Sequence, residues 1–149
     1  MKFSDLIDSS ESIQPGVYNR AVIDEYEITE LKVVPMLGMK TKIVSAFFRS
    51  NRDVYKTVVQ VNGVEEGVLP SEENHMTVRC SCPSFRFWFG NANRQHHILF
   101  GIHMKKYIPV PDHLSQRPKQ PPKNPGHIPG VCKHIIGLVK VMRRVGEID

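Results

Sequence analysis

At 149 residues, with 40% hydrophobic, 23% charged and 8% aromatic content, the chain has room for one sizeable core and little for a second domain. Its apolar runs are far shorter than the ~20 residues a bilayer-crossing helix needs, and Lys2, Asp5 and Asp8 stand where a secretory leader would be apolar, so neither a membrane span nor secretion is expected. The net charge of +5 hides a strong polarity: residues 1–30 carry seven acids against two bases, whereas residues 79–144 carry twelve bases against Asp112 alone. A basic half of this kind attracts polyanions or acidic proteins, or simply keeps one face solvated.

In chain order, Ser4-Asp5-Leu6-Ile7 suits the start of one short helix, which Pro15-Gly16 ends; this acidic opening reads as an arm or docking element. Residues 21–35 are rich in Val, Ile and Tyr, and Val22, Tyr26 and Ile28 share one parity, which predicts a strand. Met39–Arg49 and Val54–Val61 flank the turn sequence Ser50-Asn51-Arg52-Asp53 and predict a hairpin, with Tyr55, Thr57, Val59 and Val61 on one face and Asn62-Gly63 at its end. An acidic loop then runs to Asn74. From His75 to Cys82 the pattern predicts another strand, because Met76, Val78, Cys80 and Cys82 fall on one parity. Phe85, Phe87, Trp88 and Phe89 form an aromatic cluster whose default role is core packing beside the cysteines. Residues 109–129 hold seven of the eleven prolines and predict extended, polyproline-like backbone. After Pro129-Gly130, Ile135, Leu138, Val139 and Met142 recur at helical spacing, with Lys140, Arg143 and Arg144 late, where cations suit the helix dipole.

Three cysteines, an odd number, argue against a secreted disulfide framework. Cys80-x-Cys82 and Cys132-x-His134 together offer three thiolates and one imidazole, a donor set suited to a tetrahedral structural Zn2+. The alternative is three cysteines packed as small apolar residues. Geometry restricts the metal reading. Residues two apart on a strand have Cα atoms roughly 6.6 Å apart, whereas sulfurs sharing one zinc sit roughly 3.8 Å apart. Cys80 and Cys82 therefore converge only where the strand bends or ends, and Pro83 supplies that end. Positions i and i+2 of a helix likewise diverge, so Cys132 and His134 converge only where the chain is entering one; Pro129-Gly130 places them there. A helix N-terminus favours the Cys132 thiolate, and Lys133 partly neutralises a centre of net negative charge. His96, His97, His103 and His127 are the competing imidazoles, none with short spacing to a cysteine.

The C-x-C and C-x-H pairs, with Phe85 after the first and Lys133-His134-Ile135-Ile136 opening a helix, resemble the SWIM-type zinc finger over roughly residues 54–145, in that family's β-β-α order. The resemblance implies Zn2+ held by Cys80, Cys82, Cys132 and His134, with Phe85 at the usual aromatic position. The 49 residues between Cys82 and Cys132 exceed the family's spacing, so residues 90–130 read as an insertion. The expected fold class is α+β: a small antiparallel sheet with a C-terminal helix, in which residues 1–35 form the arm and first strand and residues 36–145 a single zinc-stapled domain. The segment from Asn124-Pro125 to Cys132-Lys133-His134 is also similar to small SWIM-type proteins of tailed bacteriophages, which implies a virion component of neck, tail or baseplate, found in the virion or the host cytoplasm.

SWIM modules are associated with protein and nucleic-acid binding, and a fully ligated zinc leaves no open position for chemistry. Without a Gly-rich phosphate loop, a carboxylate pair or a Ser-His constellation in the sequence, no enzymatic activity is expected. A thiol enzyme using Cys80 or Cys132 would require a metal-free centre. Two binding functions follow. The first is a structural adaptor whose arm and Pro-rich insertion lie against neighbouring protein subunits of a large assembly. The second is DNA or RNA binding through Arg79, Arg86, Arg94, Lys105, Lys106, Lys119, Lys123, Arg143 and Arg144, with Trp88 or Tyr107 stacking on bases.

Overall fold

β-branched and aromatic residues alternating in and out build a four-stranded antiparallel sheet in the order β1 (Ile28–Met36), β2 (Thr41–Ser50), β3 (Asp53–Asn62), β4 (Met76–Cys80). The computed structural model describes residues 1–21, 28–50, 53–101 and 124–149; residues 22–27 of the strand predicted from residue 21 lie outside them, and Ala21 itself caps the turn that precedes them. β2 and β3 form the expected hairpin, in unbroken register from Thr41 opposite Asn62 to Ser50 opposite Asp53. Period-two alternation then aligns one apolar face across three strands: Val44, Val59 and Val78 stand in one row, and Ala46, Thr57 and Cys80 in the next. All six are buried. Helix α5 (Lys133–Arg144) lies over this face against β3 and β4 and buries Ile135, Ile136, Leu138, Val139 and Met142. The α+β class, the antiparallel sheet and the C-terminal helix are as expected.

Residues 1–21 depart from the expected arm. Helix α1 (Phe3–Ile13) starts with the Asp5 carboxylate accepting the Lys2 backbone N–H at 3.3 Å, and buries Phe3, Leu6, Ile7 and Ser10 in the common core. Spacing of i, i+3 and i+4 gives this helix one apolar face, which the sheet and α5 leave room to cover. Backbone bonds from Phe3 to Asn74 (3.2 Å) and from Ser4 to Glu72 (3.0 Å), with a bridge between Lys2 and His75, stitch the chain's start beside β4. The charges count on its outer side only.

Helix α1 also carries the support for the single turn α2 (Val17–Arg20). The Glu11 carboxylate accepts backbone N–H groups of Tyr18 (2.7 Å) and Gly16 (2.8 Å), and these bonds, that from Tyr18 foremost, hold it below the ordinary carboxylate range. A lowered carboxyl stabilises the fold above its unfolded pKa near 4.5, and that stability is lost as pH falls through the folded value. Glu11→Gln is therefore expected to flatten the fall of stability below about pH 4.5. Urea titrations at several pH values check this; parallel curves for the two proteins would refute it.

The segment 90–130, which reads as an insertion, is also partly core. After α3 (Pro83–Trp88), α4 (Gly90–Gln95) buries Ala92 and Asn93, and the following turn buries Ile98 and Leu99. Val78 donates its N–H to Ile98 (2.8 Å) and accepts that of Phe100 (3.0 Å), so this turn adds a short parallel pairing to β4. What packs against the sheet is held by the same hydrophobic burial as the rest. Most of the Pro-rich stretch, with residues 102–123, lies outside the described residues.

Candidate metal centre

Each ligand candidate sits where regular structure stops. Cys80 is the last residue of β4, and Cys82 is the N-cap of α3, with extended backbone and Pro83 opening the helix. The bend that brings two cysteines of one strand parity together is thus a strand-to-helix transition. Cys132 is the N-cap of α5, and His134 lies in its first turn. The four ligand atoms, three Sγ and one imidazole nitrogen, all fall within 4.8 Å of one another. Cys80 Sγ lies 3.8 Å from His134 Nδ1. The centre is closed to solvent: the cysteines are at most 1% exposed and His134 is 9% exposed. Phe48 and Tyr55 pack on the imidazole with ring centroids 5.6 and 5.3 Å away, so the predicted inner face of β3 leads directly to the site.

Electrostatics inside the cluster are those of thiols competing for one negative charge. Burial pushes the Cys80 thiol up to about 12 and the Cys132 thiol well above its ordinary value. Cys82 is shifted the other way, because Cys132 first and Cys80 second donate hydrogen bonds to it, joined by the Phe85 N–H at 3.3 Å. Three thiolates in this space require a bound cation to offset their mutual repulsion. Three sulfurs and one imidazole nitrogen, mutually close and buried, fit a divalent metal ion; among the described residues no carboxylate belongs to the cluster.

Four polar residues around the centre explain its geometry. Thr57, opposite Cys80 across the β3–β4 pairing, places Oγ1 3.3 Å from Cys80 Sγ. Asn93, fully buried, donates Nδ2 to the Gly130 carbonyl (2.7 Å) and accepts the Gly130 N–H (2.8 Å). Ser10 Oγ donates to the Leu6 carbonyl (2.6 Å) and accepts the Val131 N–H (2.7 Å). Asn124 donates to the carbonyls of Trp88 and Ile128, each at 2.8 Å. Asn93, Ser10 and Asn124 together fix the segment that delivers Cys132 to the start of α5. Thr57 stands on a face legible in the sequence, and Asn124 within a segment singled out there; Asn93 and Ser10 carry no local signal, since their partners are 37 and 121 positions away.

Thr57→Val, close in volume, removes the hydroxyl beside Cys80 and is expected to weaken metal binding about tenfold with little change in fold; competition against a chromogenic chelator measures it, and equal affinities would refute the role. Asn93→Ala leaves the buried Gly130 N–H and C=O unpaired and is expected to cost about 2–3 kcal/mol, read by denaturant unfolding. A loss under about 0.5 kcal/mol would show that the pair does not hold this segment.

The other candidates are not brought to the centre. His96, His97 and His127 are exposed and lie outside the Cys/His cluster, and His103 lies outside the described residues. Of the basic residues, Arg79 is half-buried and donates to the carbonyls of Phe100 (2.8 Å) and Gly101 (3.1 Å). Arg143 pairs with Glu72 at 2.6 Å. Arg86 and Arg144 are exposed, Arg94 and Trp88 half-buried, so this set is spread over β4, α3, α4 and α5. Lys105, Lys106, Tyr107, Lys119 and Lys123 lie outside the described residues. No helix among the described residues is long and apolar enough to cross a membrane. Comparison of the chain with protein-family models, with curated proteins and with solved structures finds no match.

Proposed function

We propose that this chain is a non-enzymatic Zn2+-binding structural protein, of the SWIM-type arrangement, that serves as an adaptor between protein subunits of a larger assembly. The observation that carries this reading is the closed cluster of three sulfurs and one imidazole nitrogen, from Cys80, Cys82, Cys132 and His134, at the joint between sheet and helix. Closely spaced thiolate and imidazole donors suit zinc better than magnesium or calcium, which take oxygen ligands. Four protein ligands leave no coordination position for water or substrate, so the metal's contribution is to folding. A tailed-phage neck, tail or baseplate setting rests on the likeness of the Asn124-to-His134 segment alone.

The bonds from Arg79 to two backbone carbonyls and the ion pair of Arg143 with Glu72 favour a protein partner over a phosphate backbone, because they occupy donors of two guanidinium groups in the basic half. A second reading, DNA or RNA binding, draws on the twelve bases of residues 79–144. Zinc quantification on the purified chain, with labelled single- and double-stranded oligonucleotides titrated at about 50 and 200 mM salt, tests both. One zinc per chain and no salt-steep binding are expected. A roughly 10³-fold loss of affinity over that salt range would instead establish polynucleotide binding, and a metal-free folded chain would overturn the zinc reading.

A further inference from the structure

Where the end of α1 and the turn α2 meet α3 and the start of α5 lies a groove of about 510 Å3, outside the Cys/His cluster. Ile13, Pro15 and Trp88 give it an apolar lining, Ser84 a hydroxyl, and Arg20 and Lys133 two cations. Arg20 and Lys133 are both exposed, and no acidic side chain lines the groove among the described residues. Arg20 is held in place by donating Nη1 to the Pro15 carbonyl at 2.9 Å. The groove is also coupled to the metal centre by sequence: Ser84 follows ligand Cys82 by two positions, and Lys133 directly follows ligand Cys132.

We propose that this groove receives a short acidic peptide segment of a protein partner, its carboxylates meeting Arg20 and Lys133 and an adjacent aliphatic side chain lying against Trp88. The proposal rests on the adaptor reading above and names the chemistry of the partner. Two cations lining one partly apolar groove suit a peptide with one or two carboxylates; a polynucleotide instead tracks a continuous basic stripe, and Arg79 and Arg143 are engaged elsewhere.

Trp88 is the chain's single tryptophan, so its emission reports on the groove directly. The probe is an eight-residue peptide alternating glutamate with leucine, added to the metal-loaded chain, beside a counterpart with glutamine for glutamate. A saturable change in Trp88 emission is expected with the first peptide, with affinity about tenfold lower for the glutamine counterpart and about tenfold lower for Arg20→Gln/Lys133→Gln. Arg20→Gln alone gives the same direction should the double variant fold poorly. Equal binding of both peptides, an unchanged affinity in the variants, or no response at all overturns the proposal. So does a single-stranded oligonucleotide that displaces the peptide and loses affinity with the same substitutions, which would make the groove a polynucleotide site. Zinc measured on the same samples separates the two failures: a zinc-loaded chain that ignores the peptide overturns the groove alone, whereas a folded chain without zinc overturns the reading beneath it.

Discussion

Cys132→Ser is expected to strip the centre of its metal and to lower the thermal midpoint by about 10 °C or more. Serine is close in size to cysteine and a good N-cap, so the start of α5 keeps its local signal and the substitution reports chiefly on the lost thiolate. Losing one ligand of a structural zinc forfeits several kcal/mol of folding free energy, and in a chain of this size ~1 kcal/mol moves the midpoint by about 2–4 °C. The remaining three donors are buried, and a serine hydroxyl is a far weaker zinc ligand than the thiolate it replaces. Calorimetry with elemental analysis checks the result. A strong chelator should bring the unsubstituted protein down to the variant's midpoint and leave the variant unmoved; coincident melting of the two proteins before chelation would exclude a structural metal here.

Gly130→Ala is expected to cost about 3 kcal/mol through steric overlap. A Cβ at this position would stand 2.5 Å from Phe89 Cε1, 2.7 Å from Phe89 Cδ1 and 2.8 Å from Ser10 Oγ, all well inside contact distance. Neither neighbour is free to yield. Phe89 is wholly buried, and Ser10 is committed to Leu6 and Val131. Residue 130 cannot retreat either, because both its backbone groups are paired to Asn93. The displacement would pass two residues along to Cys132, so metal affinity should fall together with stability. Urea unfolding measures the first and chelator competition the second; an unchanged midpoint would mean that Phe89 or α1 shifts at no cost.

Much of the sheet and the closing helix is legible in the sequence because their signals are local. Met76, Val78 and Cys80 alternate within a single strand, and Ile135, Leu138, Val139 and Met142 recur within a single helix. The four ligand candidates are legible by donor chemistry and short spacing, and the bend that unites Cys80 with Cys82 is foreshadowed by Pro83. What escapes depends on distance along the chain. The opening helix reads as an arm because its acidic residues are plain in the sequence, whereas the backbone that pairs with Phe3 and Ser4 comes from residues about seventy positions away. Asn93 is one polar residue among several in Gly90–Gln95 until its side chain meets Gly130. The stretch 90–101 reads as part of an insertion when family spacing is the guide, yet burial of Ile98 and Leu99 makes it part of the core. Side-chain amides and hydroxyls that pair with remote backbone leave no periodic trace.

The two ends of the chain are joined directly: Ser10 of α1 holds the N–H of Val131, just ahead of α5, and the Lys140 ammonium of α5 donates to the carbonyl of Tyr18 in α2 at 2.6 Å, 122 positions away. A ribosome therefore releases Cys80 and Cys82 well before the partners that enclose them exist, since His134 follows Cys80 by 54 residues. At ~5–20 residues per second, the nascent thiols spend about 3–10 seconds without their imidazole. During that interval, oxidants and foreign metals meet sulfurs that the finished protein keeps out of their reach.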